Sequence, residues 1–157
     1  MMATNSAAPI HSSFTIERTF PASPARVFSA FADPAAKAAW FGAPPGGTEY
    51  ERSLDFRAGG SERLHASHPD GKVSLYVAHI HYIERDRRLV YSYFMEVNDK
   101  PMSVSLATMD LISEGKGTRL VYTEQAVYLD GNDGTASRKQ GTEWLFGKMG
   151  DWAGGAR

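Results

Sequence analysis

From Tyr50 to Tyr128 the chain carries about six β-patterned segments in succession, separated only by short turns. They run Tyr50 to Arg57, Ser61 to Ser67, Val73 to Ile83, Leu89 to Val97, Met102 to Ile112 and Thr118 to Tyr128. Between them lie the turn formers Ala58-Gly59-Gly60, Pro69-Asp70-Gly71 and Asn98-Asp99-Lys100-Pro101, the charged run Glu84 to Arg88, and Glu114 to Gly117. Strands connected so briefly pair as an antiparallel meander with one apolar face. A long twisted sheet of this kind curls, and its apolar face has to be covered by another layer.

The cover is limited. Phe14, Ile16 and Phe20 share the parity of a half-buried opening strand. Ser23-Pro24 and Asp33-Pro34 each place an N-cap residue before a proline, so two short helices are expected, the first burying Val27, Phe28 and Phe31. A glycine- and proline-rich loop, Gly42 to Gly47, follows Trp40-Phe41. Beyond Asp130 to Gly134 the period turns helical from about Ser137, with Gly141, Trp144, Leu145, Met149 and Trp152 assigned to one stripe. The expected fold is α+β, of the helix-grip type. A curved antiparallel sheet of about six to seven strands wraps around a long C-terminal helix, with two short helices after the first strand. One helix cannot fill the concavity of such a sheet at every level, so an apolar pocket is expected between them.

The 157 residues suit one domain, expected over 13–157, with a flexible tail over 1–12 that has no apolar period. Seventeen basic residues against eighteen acidic ones leave no surplus of positive charge to grip a phosphate backbone, so nucleic acid is not an expected partner. There is no cysteine, which removes disulfides, thiolate catalysis and cysteine-ligated metals. No signal peptide and no long apolar run for a membrane span is found, and a cytoplasmic protein is expected. A homodimer stays compatible with these features.

Four passages together resemble a known family. They are Pro21-Ala-Ser-Pro-Ala-Arg-Val-Phe28 after the opening strand, Trp40-Phe41-Gly42, Arg57-Ala-Gly-Gly60, and Thr118-Arg-Leu-Val-Tyr-Thr-Glu124 with Asp130-Gly131 beyond it. In this order they resemble the helix-grip superfamily of START-like and plant-allergen-like proteins, SRPBCC, over about Phe14 to Trp152. Within it the likeness is to the AHSA-like branch, related to the activator of the heat-shock chaperone ATPase. The resemblance implies the fold and a class of functions, from lipid carriage to polyketide cyclisation to chaperone binding, without fixing one of them. It also implies inward positions for Ala78 and Ile80.

Parity then selects Tyr76, Ile80, Tyr93, Met109, Tyr122 and Glu124 as candidate cavity residues from the strands, joined by Leu145 and Met149 from the helix. Trp40 and Phe41, where the short helices meet the loop, either gate a ligand or anchor the core. Glu124 shares the parity of Leu120 and Tyr122, so its carboxylate either pairs with an arginine or sits in the pocket with a raised pKa as an acid or base. His79 and His81 share a strand face, with His65 and His68 nearby, but no metal motif is completed, and surface or hydrogen-bonded imidazoles are expected. The glycines of Arg57 to Gly60 lack the following helix of a phosphate loop and are read as a hairpin turn. No nucleophile elbow, dinucleotide fingerprint or P-loop is present, and no cofactor is expected. The sequence therefore points to non-catalytic binding of a small apolar molecule, lipid-like or aromatic. The alternatives are a cyclase or dehydratase using Glu124 or a tyrosine, and an interaction protein that regulates a chaperone.

Overall fold

The structure, a computed structural model, describes residues 7–155. In chain order the elements are β1 (Ile10–Phe20), α1 (Pro24–Ala32), α2 (Pro34–Trp40), β2 (Thr48–Leu54), β3 (Ser61–Ser67), β4 (Val73–Glu84), β5 (Arg88–Val97), β6 (Lys100–Glu114), β7 (Gly117–Tyr128) and α3 (Thr135–Gly155). All seven strands form one antiparallel sheet in the order β1-β7-β6-β5-β4-β3-β2. This is the α+β architecture expected from the sequence, with the opening strand closing onto the last.

β1 begins at Ile10, inside the segment assigned to the tail, because Ile10, His11 and Ser12 pair with Tyr128, Val127 and Ala126. Residues 1–6 of that segment lie outside the described residues. The two short helices start as their caps dictate. Ser23 Oγ accepts from Arg26 N at 3.2 Å and Asp33 Oδ1 accepts from Ala35 N at 2.9 Å, each before a proline. In β2 a register shift between Glu49 and Glu51 isolates Tyr50, which is exposed against His65 rather than on the face of Leu54.

α3 packs on β1 and α2. Its stripe differs from the sequence expectation: Phe146, Met149 and Ala153 are buried, whereas Gly141 is exposed and Trp144 is 52% exposed. Apolar residues occur on every side of this helix, so spacing alone did not single out the packed face. Gly150 shows why a glycine stands in it, since a Cβ there would lie 3.0 Å from the fully buried Phe20 ring. The end of α3 is held by α1. Arg26 donates to the Trp152 and Ala153 carbonyls at 3.1 and 3.4 Å, and its guanidinium stacks 3.6 Å from the Trp152 ring.

The large core residues gather at one end of the sheet. Phe20, Met109, Leu111 and Leu120 pack there with Val27, Phe31 and Met149. Toward the other end small inward residues, Ala78, Ser103, Ser105 and Ala126, alternate with the buried rings of Tyr76, Tyr93 and Tyr128. The candidate site lies toward that end, walled by Tyr76, Tyr91, Tyr93 and Tyr122 from the sheet and by residues of α3.

Candidate functional site

Glu124, near the middle of β7, is the polar centre of this region. Its nearest sheet neighbours are Ala107 on β6 and Phe14 on β1, and it is completely buried. The carboxylate is fully engaged. Oε1 accepts from Tyr93 OH at 2.8 Å and Tyr122 OH at 2.7 Å, while Oε2 accepts from Ser105 Oγ at 2.9 Å and Arg138 Nη1 at 3.1 Å. Arg138 descends from the first turns of α3 and also donates to Tyr93 OH at 2.8 Å and Ser103 Oγ at 2.8 Å. Four donors occupy the acceptor positions of one buried carboxylate. Of the two roles open to Glu124 in the sequence, the structure contains the arginine pair.

The electrostatics of the neighbouring hydroxyls follow from burial. Desolvation pushes the Tyr93 hydroxyl well above the ordinary tyrosine range, with Arg138 opposing and Glu124 reinforcing the shift. Tyr122 and Tyr76 are raised in the same way, chiefly by burial, and Tyr91 follows. Burial works against the Arg138 charge, but the oxygens of Tyr93 and Glu124 outweigh it and hold the guanidinium above its usual range. These phenols are neutral donors over the whole physiological range.

Above this network lies a cavity of about 610 Å³ between the sheet, α2 and α3. Tyr76, Tyr91, Tyr93, Tyr122 and Phe146 supply aromatic wall, and Leu64, Met95 and Leu145 supply aliphatic wall. Ring contacts run almost without a break from Phe41 to Tyr76 at 4.9 Å, Tyr76 to Tyr93 at 5.1 Å and Tyr93 to Tyr91 at 6.2 Å. His68, bonded to Ser74, and the loop residues Asp130, Asn132 and Asp133 border it, with the exposed Trp144 at its rim.

Of the residues selected from the sequence, Trp40, Phe41, Tyr76, Tyr93, Tyr122 and Leu145 lie on the cavity wall. Glu124 lies behind the wall, bonded to two of its tyrosines. Ile80, Met109 and Met149 do not reach it; they pack in the main core, where the sheet carries its large side chains. Trp40 is 3% exposed and its Nε1 donates to Ala30 O at 2.8 Å, so it anchors the α1–α2 corner as well as facing the cavity. Phe41 is half-buried, its carbonyl accepting a bond from Arg52. Sequence reasoning missed Arg138, Lys37, Leu64 and Phe146. Arg138 was findable, because it precedes Leu145 by two helical turns on the same face. His79 is exposed and His81 bonds Ser92; among the described residues no group of three or more potential metal ligands converges.

The family follows from a match over residues 21–151 to the model described as Activator of Hsp90 ATPase homolog 1-like protein. The chain belongs to this family. Among solved structures, an uncharacterised protein from Rhizobium leguminosarum is 36% identical, with a TM-score of 0.88, covering 93% of this chain and 96% of its own. A protein from Rhizobium loti is 43% identical at a TM-score of 0.86, covering 92% and 99%. DynU16, a protein in the dynemicin biosynthetic locus, shares the fold at 20% identity and a TM-score of 0.66, covering 89% of this chain and 46% of its own. No curated protein matches the sequence. No helix among the described residues is long and apolar enough to cross a membrane.

Proposed function

We propose that this family member binds a small, mostly apolar, ring-bearing molecule in the cavity between sheet and α3. The supporting observation is the pairing of an aromatic wall with a saturated polar base. Tyr76, Tyr91, Tyr93 and Tyr122 offer faces for stacking, while the groups that a cyclase or dehydratase would use are tied up: Glu124 accepts four hydrogen bonds, two of them from the hydroxyls of Tyr93 and Tyr122. The reading is therefore of binding rather than turnover. Native mass spectrometry of protein purified from its own source should detect a retained small molecule, and that molecule should displace a solvatochromic apolar dye. Protein that carries no such molecule and takes up no dye would overturn the reading.

A second reading, association of two copies through the outer sheet face, is favoured by one observation. Val77, Phe94, Val104 and Val127 are register partners in a row across β4 to β7, and Val104 and Leu106 of that face are 42% and 39% exposed. Sedimentation of the wild type and Val104→Glu tests it: a dimer that dissociates in the variant supports the reading, and a monomeric wild type removes it.

A further inference from the structure

A second buried ion pair stands on the cavity wall, and nothing in the Glu124 network uses it. Lys37 on α2 and Glu62 on β3 meet at 3.1 Å, with side chains only 8% and 7% exposed. A lysine ordinarily keeps its ammonium in water while its stem packs. Here the ammonium is held in a concave aromatic corner, 4.9 Å from the Phe41 ring centre, 5.2 Å from Trp40 and 5.7 Å from Phe31. Replacing such a pair with apolar residues of similar volume is often neutral or stabilising, so packing alone does not account for it.

The two cations of the cavity wall differ in what remains to them. Arg138 faces Glu124, Tyr93, Ser105 and Ser103, so its donors hold the framework. Lys37 has three N–H donors and, among the described residues, one hydrogen-bond acceptor, Glu62 Oε1. The remaining donors lie among ring faces at a site that borders the cavity. A buried donor without a full acceptor is costly, and a ligand oxygen placed there would relieve that cost.

We propose that Lys37 is the specificity-determining contact of the cavity, donating to an anionic or carbonyl oxygen carried by an otherwise apolar aromatic ligand. The proposal rests on the cavity binding described above. Glu62 fixes the ammonium from behind, the rings of Trp40 and Phe41 exclude water from it, and the tyrosine wall takes the apolar body of the ligand. An aromatic hydrocarbon without such an oxygen binds more weakly, because it covers the ammonium without accepting from it.

Two dyes separate this proposal from the reading beneath it. N-phenyl-1-naphthylamine is apolar and carries no oxygen, and 8-anilino-1-naphthalenesulfonate adds a sulfonate to the same rings. Wild-type protein should bind both, the sulfonate about tenfold more tightly, the scale of one charge-assisted hydrogen bond. Lys37→Met combined with Glu62→Gln, checked for folding by near-ultraviolet circular dichroism, should bind the neutral dye unchanged and lose the preference. The surface change Lys116→Met should keep it. In the wild type the sulfonate dye, and not the neutral one, should shift the Lys37 ammonium resonance, a readout independent of whether the double variant folds. Equal affinity of the wild type for the two dyes, a preference that survives in the folded double variant, or an unmoved Lys37 resonance overturns the proposal while leaving cavity binding intact. Failure of the wild type to bind the neutral dye overturns both.

Discussion

Arg138 Nη1 lies 3.1 Å from Glu124 Oε2, which ties the start of α3 to the middle of β7 through a pair almost wholly removed from solvent. Removing one member strands the other. Arg138→Met should cost about 3–5 kcal/mol in denaturant titration, because the Glu124 charge stays buried without its partner. Arg138→Met combined with Glu124→Gln should recover a large part of that loss. A double variant as unstable as the sum of the two singles would show that the pair is not coupled.

Trp40 and Phe41 are adjacent on the cavity wall but should respond differently to truncation. Trp40→Ala should cost about 3–5 kcal/mol, since it removes a buried indole together with its bond to Ala30 O. Phe41→Ala removes a half-buried ring that contacts Tyr76, and should lower affinity for an apolar dye by more than it lowers stability. Paired melting and dye titrations check this, and equal effects of the two changes on both readouts would contradict it.

The buried tyrosines predict an alkaline limit. Their hydroxyls ionise less readily in the folded chain than in the unfolded one, whose tyrosines titrate near 10. Above that pH the unfolded chain holds fewer protons than the native one, so stability falls as pH rises. The contribution is complete below about pH 10 and is lost toward the raised folded values. Chemical denaturation from pH 8 upward should show the decline, with phenolate absorbance of these residues appearing only on unfolding. Phenolate growth from Tyr76, Tyr93 and Tyr122 ahead of unfolding would contradict their burial.

Two helical glycines should behave oppositely. Gly141 has open space where a Cβ would stand, so Gly141→Ala should stabilise by up to about 1 kcal/mol through helix propensity. Gly150→Ala drives a methyl against Phe20 and should destabilise despite the same propensity gain. Melting curves of the two variants decide it, and an increase for Gly150→Ala would mean that the helix can move away from β1.

The strands, their turns and the two capped helices were legible because each depends on local spacing and on residues with restricted backbones. The cavity wall was legible on the sheet only as far as parity reaches. Parity placed Tyr76, Tyr93 and Tyr122 inward, but it cannot separate the end of the sheet filled by Met109 and Leu111 from the end where Tyr76 and Tyr93 face a cavity. That division depends on residue volumes summed across four strands and a helix. The same limit applies to Tyr50, which a register shift turns away from the face of Leu54, a change that alternation cannot reveal. Arg138 and Lys37 went unnoticed for another reason: a charged residue on a helix is ordinarily solvated, and although spacing puts Arg138 on the face of Leu145, the partners Glu124 and Glu62 that bring the two inside are tertiary.

The adjacency of β1 and β7 has a consequence for synthesis. Thr15 and Thr123, opposite one another in that ladder, are 108 residues apart, so β1 leaves the ribosome long before its sheet neighbour β7 exists. Until then its paired edge and the apolar side chains Phe14, Ile16 and Phe20 have no partner strand, and closing so long a loop is entropically slow. The nascent chain can build the β2 to β6 meander from neighbouring hairpins, but sealing the core must await the last strand. A stalled or truncated product ending before Gly117 would therefore carry an orphaned β1, free to add itself to the open sheet edge of another chain.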